Sequence, residues 1–374
     1  MGIITRVLEE KMNIVKKLEE ILEKSSIDKA LSDPHSYRKP RPCGITIHTG
    51  IGCSYRCSYC YIYDMGFPAT VKPYPLNHLE IVYALARNPY VVPGYTLAAY
   101  GSVTEPFLNE TRDLALEYIE SIYRWLRLMS QISTKGLLTA EIIKRIKSAE
   151  PNISILITIV TIDRYRDLEP YAPNPIDRIQ YAAEASRQGL HISLFIRPII
   201  PTVTDREINN ILKIAIENNI NNIVLGSLRV TQSIIDRLWI KGIDIDEILR
   251  RMPRKPMRKN EQITIESRDL KEKIEKIAQD LGFNIYPSAC SANIYSHKSY
   301  CNACRYGPCG YRESDVKIYE DDIRDFLEYK GIKVKHIGIS EKHIEIVLKY
   351  SRKKDIENIK SVIRDIAKRE VIIR

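Results

Sequence analysis

The stretch Gly52-Cys53-Ser54-Tyr55-Arg56-Cys57-Ser58-Tyr59-Cys60-Tyr61 constrains this chain more than any other. Its cysteines follow the spacing C-x3-C-x2-C. Three thiolates can hold three irons of a 4Fe–4S cube and leave the fourth iron open to a small molecule. A closed four-cysteine site has no such vacancy. The alternatives are a zinc knuckle lacking its fourth ligand or three inert buried thiols. Structural zinc takes four ligands, and no fourth stands close in the sequence.

At 374 residues the chain is long enough for two or three domains. Its formal net charge of +10 suits nucleic acid or another anionic partner, or reflects only the solubility of a basic enzyme. The close spacing of its eight cysteines points to metal rather than disulfides, and so to a reducing cytoplasm. No apolar run reaches membrane-spanning length, and the first residues do not read as a signal peptide.

Residues 3–24 read as one amphipathic helix, followed by a proline-rich loop over 32–42. Cys43 reads as a buried structural thiol. Strands are expected at Ile45–His48, Tyr95–Tyr100, Leu128–Ser133, Ile153–Val160, His191–Pro198 and Asn222–Leu225, with helices between them. Such alternation implies a parallel sheet with helices outside, here a partial (β/α)6 barrel. Functional groups gather at the carboxyl ends of its strands, where the cysteine loop lies.

A helix near Ile234–Leu249 leads into Arg250-Arg251-Met252-Pro253-Arg254-Lys255-Pro256-Met257-Arg258-Lys259, where six of ten residues are basic. This is a solvated linker or a phosphate-contacting lid. A second cysteine group follows as Cys290-x10-Cys301-x2-Cys304-x4-Cys309. It suits a second 4Fe–4S cluster or zinc, with disulfides disfavoured in a reducing compartment. His297 is a candidate replacement ligand or a surface histidine. Residues 316–374 read strand, helix, strand, strand, helix, strand, the order of a ferredoxin-like module. The expected division is therefore 1–42 lead-in, 43–228 barrel, 229–315 cysteine-rich extension and 316–374 terminal module.

Beyond the cysteine loop, Gly101-Ser102-Val103-Thr104-Glu105-Pro106, Ser133-Thr134-Lys135, Glu169-Pro170-Tyr171-Ala172-Pro173 and Arg197-Pro198-Ile199-Ile200-Pro201 occur in order. Together they resemble the spore photoproduct lyase-like group of radical S-adenosylmethionine (SAM) enzymes over about residues 43–227. The resemblance implies that Cys53, Cys57 and Cys60 hold a 4Fe–4S cluster. It further implies that SAM is cleaved reductively to a 5′-deoxyadenosyl radical that abstracts hydrogen from a substrate. Glu105 and Ser102 to Thr104 would offer polar contacts to SAM, Lys135 would meet its carboxylate and Tyr59 its adenine. Thr158 or Thr161 would add hydrogen bonds. Tyr61 and Tyr63 would border the pocket, as packing residues or radical relays. Arg178 and Arg197 would reach a carboxylate or form structural salt bridges. Glu105 and Lys135 without SAM would read as a barrel-mouth ion pair.

One departure bears on the reaction. Spore photoproduct lyase uses a barrel cysteine as hydrogen donor, yet no cysteine lies between Cys60 and Cys290, and Thr104 stands in the corresponding region. The cofactor chemistry therefore carries over and the thymine-dimer reaction does not. The expectation is a radical SAM enzyme supplied by a low-potential electron donor, acting on a macromolecule, nucleic acid before peptide. The rival readings are a non-catalytic iron–sulfur carrier or sensor, a nucleic-acid-binding module with a structural cluster, and a peptide-modifying radical SAM enzyme.

Overall fold

The structure, a computed structural model, describes residues 2–40, 44–349 and 356–374. Cys43 and the start of the helix expected from Lys354 lie outside the described residues.

Seven strands form one sheet in which every pairing is parallel and chain order equals spatial order. They are β1 (Ile45–Ile47), β2 (Leu97–Tyr100), β3 (Met129–Thr134), β4 (Ser154–Thr158), β5 (His191–Ile199), β6 (Asn222–Ser227) and β7 (Asn284–Tyr286). Six were expected. The seventh pairs with β6 and follows helix Arg268–Asp280, so sheet growth continues past residue 228. Each crossover turns the same way, which curls the sheet into a partial barrel with helices outside.

The period of two along each strand sorts the side chains. Ile155, Ile157, Leu194 and Ile196 face the helices in the main core. Their neighbours Leu156 and Phe195 face inward and meet Val224, Tyr286 and Ala292. Ala292 lies on helix Ala289–Ser296, which contacts β3, β4 and β7 and fills the barrel interior. Asn293 anchors it by donating to the Met129 carbonyl at 3.0 Å.

Several expected elements change. The first helix stops at Glu19, and a second runs Lys24–Ser32. The helix expected over Ile234–Leu249 is two, Gln232–Ile240 and Ile245–Arg250, parted at Lys241-Gly242. Helix His78–Arg87, closed by a capping box of Asn77 and Glu80, has no counterpart in the sequence reading.

The C-terminal part differs most. It runs helix Glu320–Tyr329, β8 (Val334–Ile339), β9 (His343–Leu348), helix Ile356–Ala367 and β10 (Glu370–Ile373). No strand forms over Val316–Tyr319. A ferredoxin-like unit sets its first strand between the third and fourth, but here β9 and β10 pair directly and leave no gap. The sheet order is therefore β8-β9-β10, with three strands among the described residues. Nor is its core its own: Ile4 and Val7 of helix Ile3–Glu19 complete it, while Val15 and Leu18 of that helix belong to the barrel core.

No helix among the described residues is long and apolar enough to cross a membrane.

Candidate active site

Most of the groups expected to touch the cofactor lie at the carboxyl ends of the strands. Cys53, Cys57, Tyr59, Cys60 and Tyr61 line one pocket of about 330 Å³ with Ser102, Thr104, Glu105, Lys135 and Thr158. The loop after β2, the end of β3 and the end of β4 supply the last five. This volume suits a small-molecule ligand.

The cysteine loop is held from outside itself. Gly52 takes a φ of +84°, and a Cβ there would lie 2.1 Å from the Thr70 carbonyl oxygen, so only glycine lets the chain enter the loop. Cys53 donates its N–H to the Pro68 carbonyl at 3.2 Å, and Ser58 donates to Leu168 at 2.8 Å. Arg237, on helix Gln232–Ile240, donates to the carbonyls of Ser58 and Cys60, each at 2.9 Å, and pairs with Asp64 at 3.2 Å. Sequence reading missed this clamp.

Glu169, quoted in the sequence only as part of a motif, is fully buried beneath the loop. It accepts the Tyr59 hydroxyl and pairs with the guanidinium of Arg178 at 2.5 Å. Arg178 also donates to the carbonyls of Pro173 at 2.7 Å and Thr158 at 3.1 Å. Arg178 is thus the structural salt bridge of its two expected roles. Burial opposes the charge on Glu169, but Arg178 and then Lys135 outweigh it and hold its pKa below the usual carboxylate value.

Glu105 is not ion-paired to the Lys135 ammonium. Its carboxylate accepts the Lys135 backbone N–H at 2.9 Å, the Phe107 N–H at 3.2 Å and the Thr134 hydroxyl. These bonds tie the loop after β2 to the end of β3, while burial raises the Glu105 pKa. The Lys135 ammonium lies 5.5 Å from the Tyr59 ring centroid. Among the described residues no carboxylate stands at ion-pair distance from it.

The remaining candidates divide. Thr104 donates its hydroxyl to the Gly50 carbonyl at 2.7 Å. Tyr61 lines the pocket and donates to the Ser102 carbonyl at 3.1 Å. Tyr63 lies off the pocket lining and donates to the Cys53 carbonyl at 3.1 Å. Thr161 turns away to Glu207 at 2.6 Å. Arg197 lines the pocket beside Arg229. Its approach depends on two local features. A register shift between Ile196 and Ile199 re-aims the strand. Gly226 leaves the space its side chain crosses, since a Cβ there would meet Arg197 Cδ at 2.5 Å.

Burial pushes the Cys53 thiol up to about 11 and raises Cys57 and Cys60 as well. Metal binding would release those protons. Among the described residues no three or more His, Cys, Asp and Glu side chains are assembled to hold a metal ion. The donor set still fits the expected group: three soft thiolates line a pocket that also presents an ammonium and two guanidinium groups.

The second cysteine group stands elsewhere. Cys301 and Cys309 face each other in a two-stranded antiparallel ladder, and Cys290 packs with them against Leu97, Met129 and Ile294. Cys304 is exposed. His297 is engaged with Glu150 at 2.9 Å and the Asn293 carbonyl at 3.0 Å, so it is not a spare ligand. The basic loop is largely paired within its own neighbourhood. Arg251 meets Glu247 and Asp269, each at 2.6 Å, and Arg254 pairs with Glu261.

The Radical SAM superfamily model matches residues 47–215. A cysteine-to-serine variant of spore photoproduct lyase aligns with a TM-score of 0.54 at 17% identity, over 64% of this chain and 75% of that one. Spore photoproduct lyase complexed with dinucleoside spore photoproduct aligns with a TM-score of 0.52 at 16% identity, over 63% and 74%. A variant with bound SAM and the same dinucleoside gives 0.54 at 17%, over 64% and 75%. No curated protein matches the chain. The matched residues 47–215 form a radical SAM domain, which supports an enzyme of the radical SAM class. Its barrel has the fold of spore photoproduct lyase.

Proposed function

We propose that the enzyme binds SAM in the 330 Å³ pocket and uses it to abstract hydrogen from an anionic macromolecule, with nucleic acid the favoured class. When bound, a reduced 4Fe–4S cluster and SAM supply a 5′-deoxyadenosyl radical. Cys53, Cys57 and Cys60 would hold the cluster, and an external low-potential donor would reduce it. Lys135 would meet the SAM carboxylate through a charge-assisted contact, and Tyr59 would bound the adenosine side. Glu105 serves by fixing two loops rather than by offering a free carboxylate. The second cysteine group belongs to the same reading as a metal centre, and the protein as one of the reducing cytoplasm.

One observation carries this reading: three cysteines with no fourth share a pocket with Lys135, Arg197 and Arg229, none of which has an acidic partner at ion-pair distance among the described residues. Unpartnered cations at a pocket wall favour an anionic ligand. Because the basic loop spends Arg251 and Arg254 on its own acids, Arg197 and Arg229 are the better substrate contacts. Anaerobically reconstituted protein given SAM and dithionite should release 5′-deoxyadenosine. Cluster-loaded protein that releases none would instead be an electron carrier or sensor. Arg229→Ala should weaken oligonucleotide binding and reduce its salt dependence. Unchanged oligonucleotide affinity would remove nucleic acid as the favoured substrate.

A further inference from the structure

We propose that the cleft between the first helix, helix His78–Arg87 and the terminal module binds a small organic phosphate, with Lys11, Arg87 and Lys330 holding its anionic head and Met12, Phe326 and Tyr329 its apolar body. These six side chains line one cavity of about 260 Å³, which shares no lining residue with the SAM pocket. Its sequence sign is a misplaced charge. Leu8, Lys11, Met12 and Val15 recur at i, i+3, i+4 and i+7, so a cation occupies the stripe that the first helix turns to its neighbours. Lys11 is only 6% exposed.

The protein itself accounts for only part of that burial. The Lys11 ammonium donates to the carbonyl of Asn88, which ends helix His78–Arg87, and to that of Val91 at 2.7 Å. These bonds use two of its three donors. Its charged neighbours are themselves cations: Lys330, just past helix Glu320–Tyr329, and Arg87. Helix Ile356–Ala367 closes the cavity with Asn358 and Val362, which carry no charge. Arg87 meets Glu19 at 3.6 Å in a pair partly open to solvent. The Lys330 ammonium lies 5.5 Å from the Tyr329 ring centroid. Three cations therefore share a cavity whose walls, among the described residues, include no carboxylate. Burying a cation beside like charges costs free energy that a bound anion offsets.

The lining also selects the kind of anion. A phosphate monoester carries close to two negative charges at neutral pH and three acceptor oxygens, which suit three cationic donors better than one carboxylate does. An aromatic or alkyl ester group would cover Met12 and Tyr329, which stand 49% and 57% exposed beside the buried Phe326. The walls come from three elements far apart in sequence, so occupancy ties the first helix and the barrel to the terminal module. Occupancy also resets Lys11. Burial and the two neighbouring cations hold its pKa at about 7, and an adjacent anion raises it. Binding above pH 7 therefore draws a proton onto the ammonium.

The test is titration calorimetry of full-length protein with phenyl phosphate at pH 8, run in two buffers of different ionisation enthalpy. Wild type should bind one molecule per chain and take up part of one proton. Lys330→Ala, a change at an exposed position, should weaken binding about 10-fold and leave SAM cleavage as it was. Lys11→Met should abolish the proton uptake. Inorganic phosphate should bind more weakly than phenyl phosphate, because it leaves the apolar wall uncovered. Wild type that binds no phenyl phosphate at millimolar concentration would overturn the proposal. So would binding that takes up no proton, or that Lys330→Ala leaves unchanged. Equal affinity for inorganic phosphate would overturn the apolar half of the site.

Discussion

The two cysteine groups differ in what surrounds them. The Cys53–Cys60 loop rides on strand ends and is gripped by groups far away in sequence, namely Arg237, Leu168 and the Glu169–Arg178 pair. It shares its pocket with cations and polar loops. The Cys290–Cys309 group is gripped by its own hairpin and by apolar contacts with Leu97, Met129 and Ile294. A site that must bind and position a ligand needs a fixed surround of polar and charged groups, which the first loop has and the second group lacks.

That contrast can be broken most sharply at the thiols. Cys57→Ala should reduce SAM cleavage to background and strip the iron from the Cys53–Cys60 loop; cleavage at the wild-type level would take this loop out of the site. The next largest effect concerns the grip beneath the first loop. Arg178→Met leaves the Glu169 carboxylate buried without its cation and should cost about 3–5 kcal/mol in urea unfolding. A cost under about 1 kcal/mol would mean the pair is not a fixed support. Lys135→Ala should weaken SAM binding by about 10- to 100-fold, the worth of a hydrogen bond to a charged group, read by equilibrium dialysis. Unchanged affinity would take Lys135 out of the SAM site.

The smallest effect lies away from both centres. Lys11 is buried and donates to the carbonyls of Asn88 and Val91. Burial, then Lys330 and Arg87, hold its pKa down at about 7, against an ordinary value of 10.5. Between those values the unfolded chain binds the proton and the folded chain does not, so this residue makes stability rise with pH. Chemical unfolding at pH 7 and pH 9 should show that rise in wild type and a flatter profile in Lys11→Met, with SAM cleavage unchanged. Equal slopes would contradict it.

The site was more legible in the sequence than its supports. Cys53, Cys57 and Cys60 declare themselves by spacing, and Glu105 and Lys135 by their place just past strands. Arg237 does not, because one arginine on an amphipathic helix gives no local sign that it reaches carbonyls more than 170 residues away. Strand β7 has three residues, too few for a period of two to register. Helix Ala289–Ser296 is buried on several sides inside the barrel, so it lacks the polar face that marks an outer helix. The pattern at Val316–Tyr319 failed for the opposite reason. Ile318 alternates as in a strand and packs into the core, but β9 and β10 already occupy each other's hydrogen bonds.

Mössbauer spectra of iron-labelled, anaerobic protein with and without SAM test the central claim most directly. The account expects one iron of the Cys53–Cys60 cluster to change its signature when SAM binds, while the other irons of that cluster stay as they were. Spectra in which no iron responds to SAM would contradict it.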